Sequence, residues 1–206
     1  VDPDNGNKLL SISGSGSGAD IIVPDMGFSI PSEITTVDSD ADGVVDRLVV
    51  GDTGGQIWRV DLAPLEISLS DPESTTVVGK LADISGTAAA ERRRFFEPAS
   101  YLQQNDSVFS NTPTYDYILI GTGYRPHPLD KDVEDRFYAI RDFQPNAGSI
   151  NDTNDNNIAD TTEGYPQASG EAFSNSDLIN ITTTPLDASL DSNRASAGWF
   201  FDFTQA

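Results

Sequence analysis

The sequence predicts an all-β chain of short antiparallel strands joined by long loops, on three observations. Apolar residues come in short runs bounded by Gly, Asp, Asn or Pro, the pattern of short antiparallel strands. Good helical periodicity is scarce. A strand–turn–strand unit also recurs along the chain, each copy rich in β-branched or aromatic residues that suit a pleated surface.

The first unit pairs Leu48-Val49-Val50 with Ile57-Trp58-Arg59-Val60 through the tight Gly51–Gln56 turn and ends in Asp61-Leu62. The second runs from Tyr117-Ile118-Leu119-Ile120 through Gly121-Thr122-Gly123 and a longer turn to Phe137-Tyr138-Ala139-Ile140, ending in Asp142-Phe143. Gly198-Trp199-Phe200-Phe201-Asp202-Phe203 reads as the second half of a third. Repeated hairpins of this kind suggest the blades of a β-propeller, at about 40–50 residues per blade. The 206 residues therefore hold a single partial propeller domain, 1–206, expected to be a processed or excised piece because it begins Val1-Asp2-Pro3. Segment 86–97, with Ala88-Ala89-Ala90-Glu91, is expected to form a short helix. Ser11 to Gly18 alternates Ser and Gly and reads as a mobile loop; it lacks the Gly-Lys-Ser/Thr ending of a phosphate loop.

Composition narrows the function. The formal net charge of −21 repels nucleic acid and anionic membranes and attracts cations. With no cysteine there are no disulfides, thiolate metal sites or cysteine nucleophiles. No apolar run reaches the length of a membrane span.

The most informative motifs are two nine-residue stretches with oxygen donors at alternate positions. The first is Asp38-Ser39-Asp40-Ala41-Asp42-Gly43-Val44-Val45-Asp46; the second runs from Asp152 to Asp160 and is followed by Glu163. A loop curled around calcium points side chains 1, 3 and 5 inward, offers the carbonyl of residue 7 and adds an oxygen from residue 9; a Glu at position 12 closes the EF-hand form. The sixth residue must turn sharply, which favours Gly and then Asn, and Gly43 and Asn157 stand there. The expected ligands are Asp38, Asp40, Asp42, Val44 (carbonyl) and Asp46 in the first loop. In the second they are Asp152, Asn154, Asn156, Ile158 (carbonyl), Asp160 and Glu163, a weaker set because amides bring no charge. Residues 144–170 are expected to be an insertion tied down by that second ion. The bland alternative for either stretch is a solvated acidic turn.

The block Asp38–Asp46 with Arg47-Leu48-Val49-Val50-Gly51-Asp52-Thr53-Gly54-Gly55-Gln56-Ile57-Trp58-Arg59-Val60-Asp61-Leu62 resembles the calcium loop and following hairpin of the PilY family. Val1-Asp2 through Gly6 to Leu10, Ile118–Gly123 with Phe137–Asp142, and Gly198–Phe203 agree with it in order. The resemblance implies a modified β-propeller from the C-terminal domain of a large exported protein, at the tip of the type IV pilus. It implies pilus components and a host or abiotic surface as partners, export through the periplasm and outer membrane, and calcium control of pilus extension and retraction. It carries Asp38, Asp40, Asp42, the Val44 carbonyl and Asp46 over as ligands. The second loop departs from the family pattern and looks like the Asp-x-Asn-x-Asn repeats of secreted calcium-binding proteins. The resemblance is to the C-terminal domain of that family and not to the large N-terminal region that often carries adhesion.

No catalytic constellation is evident, so an enzyme is not expected. His127, between Pro126 and Pro128, has no partners for catalysis or zinc. Arg92-Arg93-Arg94 reads first as relief of the chain's own acidity, and Trp58 and Trp199 as packing. Two alternatives remain: a calcium-stapled structural subunit of an extracellular filament or surface layer, and a quinoprotein dehydrogenase-like propeller fragment.

Overall fold

A computed structural model of the chain describes residues 5–62, 75–105, 114–144, 152, 156–159, 166, 171–183 and 196–203. Among them the chain is all-β. The strands are β1 (Ile12–Ser13), β2 (Ile21–Ile22), β3 (Thr35–Val37), β4 (Arg47–Gly51), β5 (Gln56–Asp61), β6 (Val77–Asp83), β7 (Ser100–Asn105), β8 (Thr114–Gly121), β9 (Arg136–Asp142), β10 (Ile179–Asn180) and β11 (Gly198–Asp202). β3-β4-β5-β6 form one antiparallel meander, and β7-β8-β9-β11 form a second, with β10 outside β11. Among the described residues no sheet closes into a barrel.

The five apolar runs became β4, β5, β8, β9 and β11. β6 and β7 carry weak local signals: Gly79-Lys80 interrupts the apolar pattern of β6, and β7 is a polar edge strand, Ser-Tyr-Leu-Gln-Gln-Asn. Three expectations need correction. The helix over 86–97 is a single 3-10 turn, Ala89–Glu91. The Phe95 amide donates to Asp52 O (3.0 Å) and Arg94 O accepts from Gly123 N (3.0 Å), so tertiary partners take the backbone groups a helix would use. The Ser-Gly stretch contains β1, pinned to β2 because Asp20 Oδ2 accepts from both the amide and the hydroxyl of Ser11 at 2.8 Å. Lys8 and Ser11 together push the Asp20 carboxyl down to about 2. Pairing is also not wholly antiparallel, since β1–β2 and β10–β11 run parallel.

The repeat seen in the sequence is repeated in hydrogen bonds. At the β4–β5 turn, Asp52 N donates to Gln56 O (3.0 Å) and Gln56 N returns to Asp52 Oδ1 (3.0 Å). At the β8–β9 turn, Thr122 N donates to Arg136 O (2.8 Å) and Arg136 N returns to Thr122 Oγ1 (2.8 Å). Gly51 and Gly121 pair at the same place, with Ile57 and Phe137. Gly51 is needed, because a Cβ there would lie 2.6 Å from Cβ of buried Phe95.

Two cores hold the sheets. The larger lies between the meanders and joins Val49, Ile57, Leu81 and Ile84 to Ile118, Ile120, Tyr138 and Ile140. The smaller covers the other face of the first sheet, where Ile21, Val23 and Met26 pack on Val50, Trp58, Val60 and Val78. The outer edge of β6 carries bridges from Ile158 to Val78 and from Phe173 to Ala82, so its amides are not left as an open template.

Charged side chains are also buried between the sheets. Arg47 and Arg59 are both 0% exposed. Arg47 Nη1 reaches Asp116 Oδ2 in β8 (2.5 Å), and Arg59 Nη1 reaches Asp142 Oδ2 in β9 (2.6 Å). Asp61 lies between them, held by Arg59 Nε and Nη2 (2.6 and 2.7 Å) and 3.5 Å from Arg47 Nε. The Tyr101 hydroxyl donates to Asp116 Oδ1 at 2.9 Å. Burial pushes the Asp116 carboxyl above its ordinary range, opposed by the Tyr101 hydrogen bond and by Arg47.

Asp52 ties the β4–β5 turn to the smaller core: it is fully buried, accepts Trp58 Nε1 (3.0 Å) on Oδ2, and accepts the amides of Gly54 (2.8 Å) and Gln56 (3.0 Å) on Oδ1. Asp52→Ala orphans these donors, and unmade buried hydrogen bonds cost about 1–3 kcal/mol each. The expected outcome is a lower midpoint in urea at an unchanged m-value, with Trp58 fluorescence as the probe.

Candidate metal centre

Loop 38–46 connects β3 to β4, and the sheet clamps its ends: Asp46 N donates to Val37 O (2.9 Å), and Leu62 N at the end of β5 donates to Asp46 O (2.7 Å). Within it, short acidic side chains capture the loop's own amides, which is how Asp and Asn build turns. Asp38 accepts Asp42 N on Oδ1 (3.2 Å) and Gly43 N on Oδ2 (2.9 Å). Asp40 Oδ1 accepts Asp42 N (3.2 Å), and Asp42 Oδ1 accepts Val44 N (2.7 Å). Gly43 turns with φ of 93°, as its position in the motif requires, and a Cβ there would meet nothing. Ala41 also sits in the left-handed region, at φ 64°, a conformation that costs an L-residue roughly 1–2 kcal/mol.

This folding gathers three exposed carboxylates. One oxygen from each of Asp38, Asp40 and Asp42 lies within 4.8 Å of the others. Oxygens bound to calcium at 2.3–2.6 Å are separated by at most about 4.6–5.2 Å, so the three fit one coordination sphere, and an all-oxygen anionic donor set suits that hard cation. Asp46 stands outside the group of three. It is 7% exposed, and its Oδ2 accepts the amide (2.6 Å) and hydroxyl (2.7 Å) of Ser39, closing the loop at its base. Val44 is half-buried beside it. Ser39 and Ala41 were not singled out from the sequence; they occupy the non-donor positions of the motif and carry no signal in their residue type.

Of the second loop, Asp152 and 156–159 are described; the expected ligands Asn154, Asp160 and Glu163, and most of 144–170, lie outside the described residues. What is described repeats the first loop bond for bond. Asp152 Oδ1 accepts Asn156 N (3.1 Å), its Oδ2 accepts Asn157 N (2.6 Å), and Asn156 Oδ1 accepts Ile158 N (3.0 Å). Asn157 turns with φ of 63°. Both loops attach at one end of the first sheet. Arg47, which follows the first loop, pairs with Asp61, and Asp61 pairs with Val77. Next to Val77, Val78 N donates to Asn157 O (2.8 Å) and Asn157 Nδ2 donates to Thr76 O (2.9 Å).

The remaining candidates have structural surroundings. Trp58 is 2% exposed within the smaller core, and Trp199 lies half-buried in an aromatic row with Phe137 and Phe201. His127 stacks on Tyr124, whose ring also carries the Arg94 guanidinium 4.4 Å from its centroid. Arg93 is buried, with Nε donating to Glu134 O (3.0 Å).

No protein-family model matches the sequence, and no curated protein matches it. Among solved structures, the chain is similar to the crystal structure of the Pseudomonas aeruginosa PilY1 C-terminal domain, with a TM-score of 0.47 and 16% identity over 84% of this chain and 38% of that one. The chain thus spans less than two-fifths of that domain's length. No helix among the described residues is long and apolar enough to cross a membrane.

Affinity in such loops follows the number of charged ligands. Calorimetric titration of chelator-treated protein is expected to show calcium binding that Asp40→Asn weakens roughly tenfold or more, because the amide keeps the Asp42 contact but brings no charge. Asp152→Asn is expected to leave that binding step in place.

Proposed function

We propose that this chain is a calcium-binding module of the PilY kind, part of a β-propeller that serves type IV pilus assembly at the cell surface and performs no chemistry of its own. The single observation that carries the reading is loop 38–46. Its three carboxylates converge within 4.8 Å, and the loop runs straight into β4, the first strand of the hairpin that resembles that family in sequence. The two successive meanders, with their matching turn hydrogen bonds, support reading each sheet as one blade.

In this reading Asp38, Asp40, Asp42 and the Val44 carbonyl hold the ion, with Asp46 and Ser39 shaping the base of the loop. Calcium neutralises carboxylates that otherwise repel one another, so binding and loop order are coupled. The second loop, through Asp152, Asn156 and the Ile158 carbonyl together with Asn154, Asp160 and Glu163, is a weaker site at the same end of the sheet. Partners are pilus components, and the location is extracellular, at the pilus.

The test is made in a bacterium that depends on this protein. Surface piliation and motility are expected to change when calcium is chelated, and Asp40→Asn is expected to abolish that response while the protein is still exported. An unchanged calcium response in Asp40→Asn would remove the loop from pilus control.

A further inference from the structure

We infer that the buried bridge from Arg47 to Asp116 couples the 38–46 loop to the second sheet, so that an ion in the loop sets how firmly the two sheets dock; this rests on the calcium reading of that loop.

The covalent path is one residue long. Asp46 closes the loop through Ser39, and its backbone is fixed on both sides, to Val37 in β3 and to Leu62 after β5. Arg47 follows directly, is 0% exposed and leaves its own sheet: its guanidinium spans from β4 to Asp116 on β8 at 2.5 Å. There, Asp116 is also held by the Tyr101 hydroxyl from β7 (2.9 Å). Without an ion, repulsion among Asp38, Asp40 and Asp42 strains the turn against its own hydrogen bonds and against the clamp at Asp46, and with it the Arg47 anchor. The charge environment makes that anchor consequential, because the junction buries three carboxylates, Asp61, Asp116 and Asp142, against the two guanidinium groups of Arg47 and Arg59. A displaced Arg47 leaves Asp116 buried with the Tyr101 hydroxyl but without its guanidinium partner, and breaking one side of a buried pair is strongly unfavourable. Arg59, which carries the second bridge to Asp142 (2.6 Å), lies mid-strand in β5 and does not adjoin the loop. Thr35 of β3 also reaches across, its hydroxyl donating to Ala99 O beside β7, but Arg47 is the buried charged link that adjoins the loop directly.

Hydrogen exchange of the 206-residue chain, with calcium and with chelator, tests this alongside calorimetry. In the parent protein, calcium is expected to slow exchange at least tenfold in both β4 and β8. In the Arg47→Met/Asp116→Leu double variant, which removes both charges together, calcium is expected to bind with similar affinity and to protect β4 but not β8. Tyr101→Phe, which deletes one bond at the far end and leaves the core intact, is expected to show intermediate protection of β8; it carries the test if the double variant does not fold. Calcium binding without protection of β8 in the parent, or full protection of β8 in either variant, overturns the coupling and leaves the calcium site standing. Absence of binding in the parent overturns both.

Discussion

Two arginines without solvent contact, each bridging from the first sheet to the second, impose a constraint that apolar packing alone does not. The shared core of Val, Ile, Leu and aromatic side chains holds the meanders together but specifies their relative placement weakly, because apolar contact is not directional. Arg47 and Arg59 do specify it, since each guanidinium must meet its carboxylate across the junction or leave a buried charge unpaired. Such groups contribute little net stability compared with an apolar filling and penalise wrong docking strongly. Arg47 is the first residue of β4, so the junction and the acidic loop that precedes β4 meet at adjacent residues.

The acidic surface belongs to the same account. A chain with a formal charge of −21 works against its own compaction, and loop 38–46 concentrates three of its carboxylates in one exposed turn. The turn is nonetheless ordered by its own hydrogen bonds, with Asp38 and Asp42 gripping backbone amides and Ala41 held at positive φ. Strained backbone and crowded like charges persist where surrounding structure over-determines them; here the β3–β4 clamp does so.

What the sequence made legible follows the strength of its local signals. Alternating or continuous apolar runs located β4, β5, β8, β9 and β11, and the spacing of Asp38, Asp40 and Asp42 located the loop. β6 and β7 were illegible because their pairing is decided by neighbours: Val78 and Leu81 are buried by partners distant in the chain, and β7 presents polar residues at an edge. The alanine-rich stretch before Arg92 has helical propensity, but it stops after one turn: Glu134 N donates to Ala90 O, and just beyond it the backbone of Arg94 and Phe95 is bonded to Gly123 and Asp52, a tertiary override of a local preference. The Arg47–Asp116 bridge, which spans 69 positions in the chain, leaves no trace in residue spacing. Neither does the Asp46–Ser39 contact, since a serine between two aspartates reads as filler.

The central claim is that the converging carboxylates of loop 38–46 hold a calcium ion at the head of β4. A crystal structure of the chain grown with millimolar calcium, with anomalous scattering used to identify the ion, tests it most directly. The account predicts one calcium peak about 2.3–2.6 Å from oxygens of Asp38, Asp40 and Asp42 and from the Val44 carbonyl. A well-ordered loop with its three carboxylates splayed into solvent and no peak between them, under the same conditions, would contradict it.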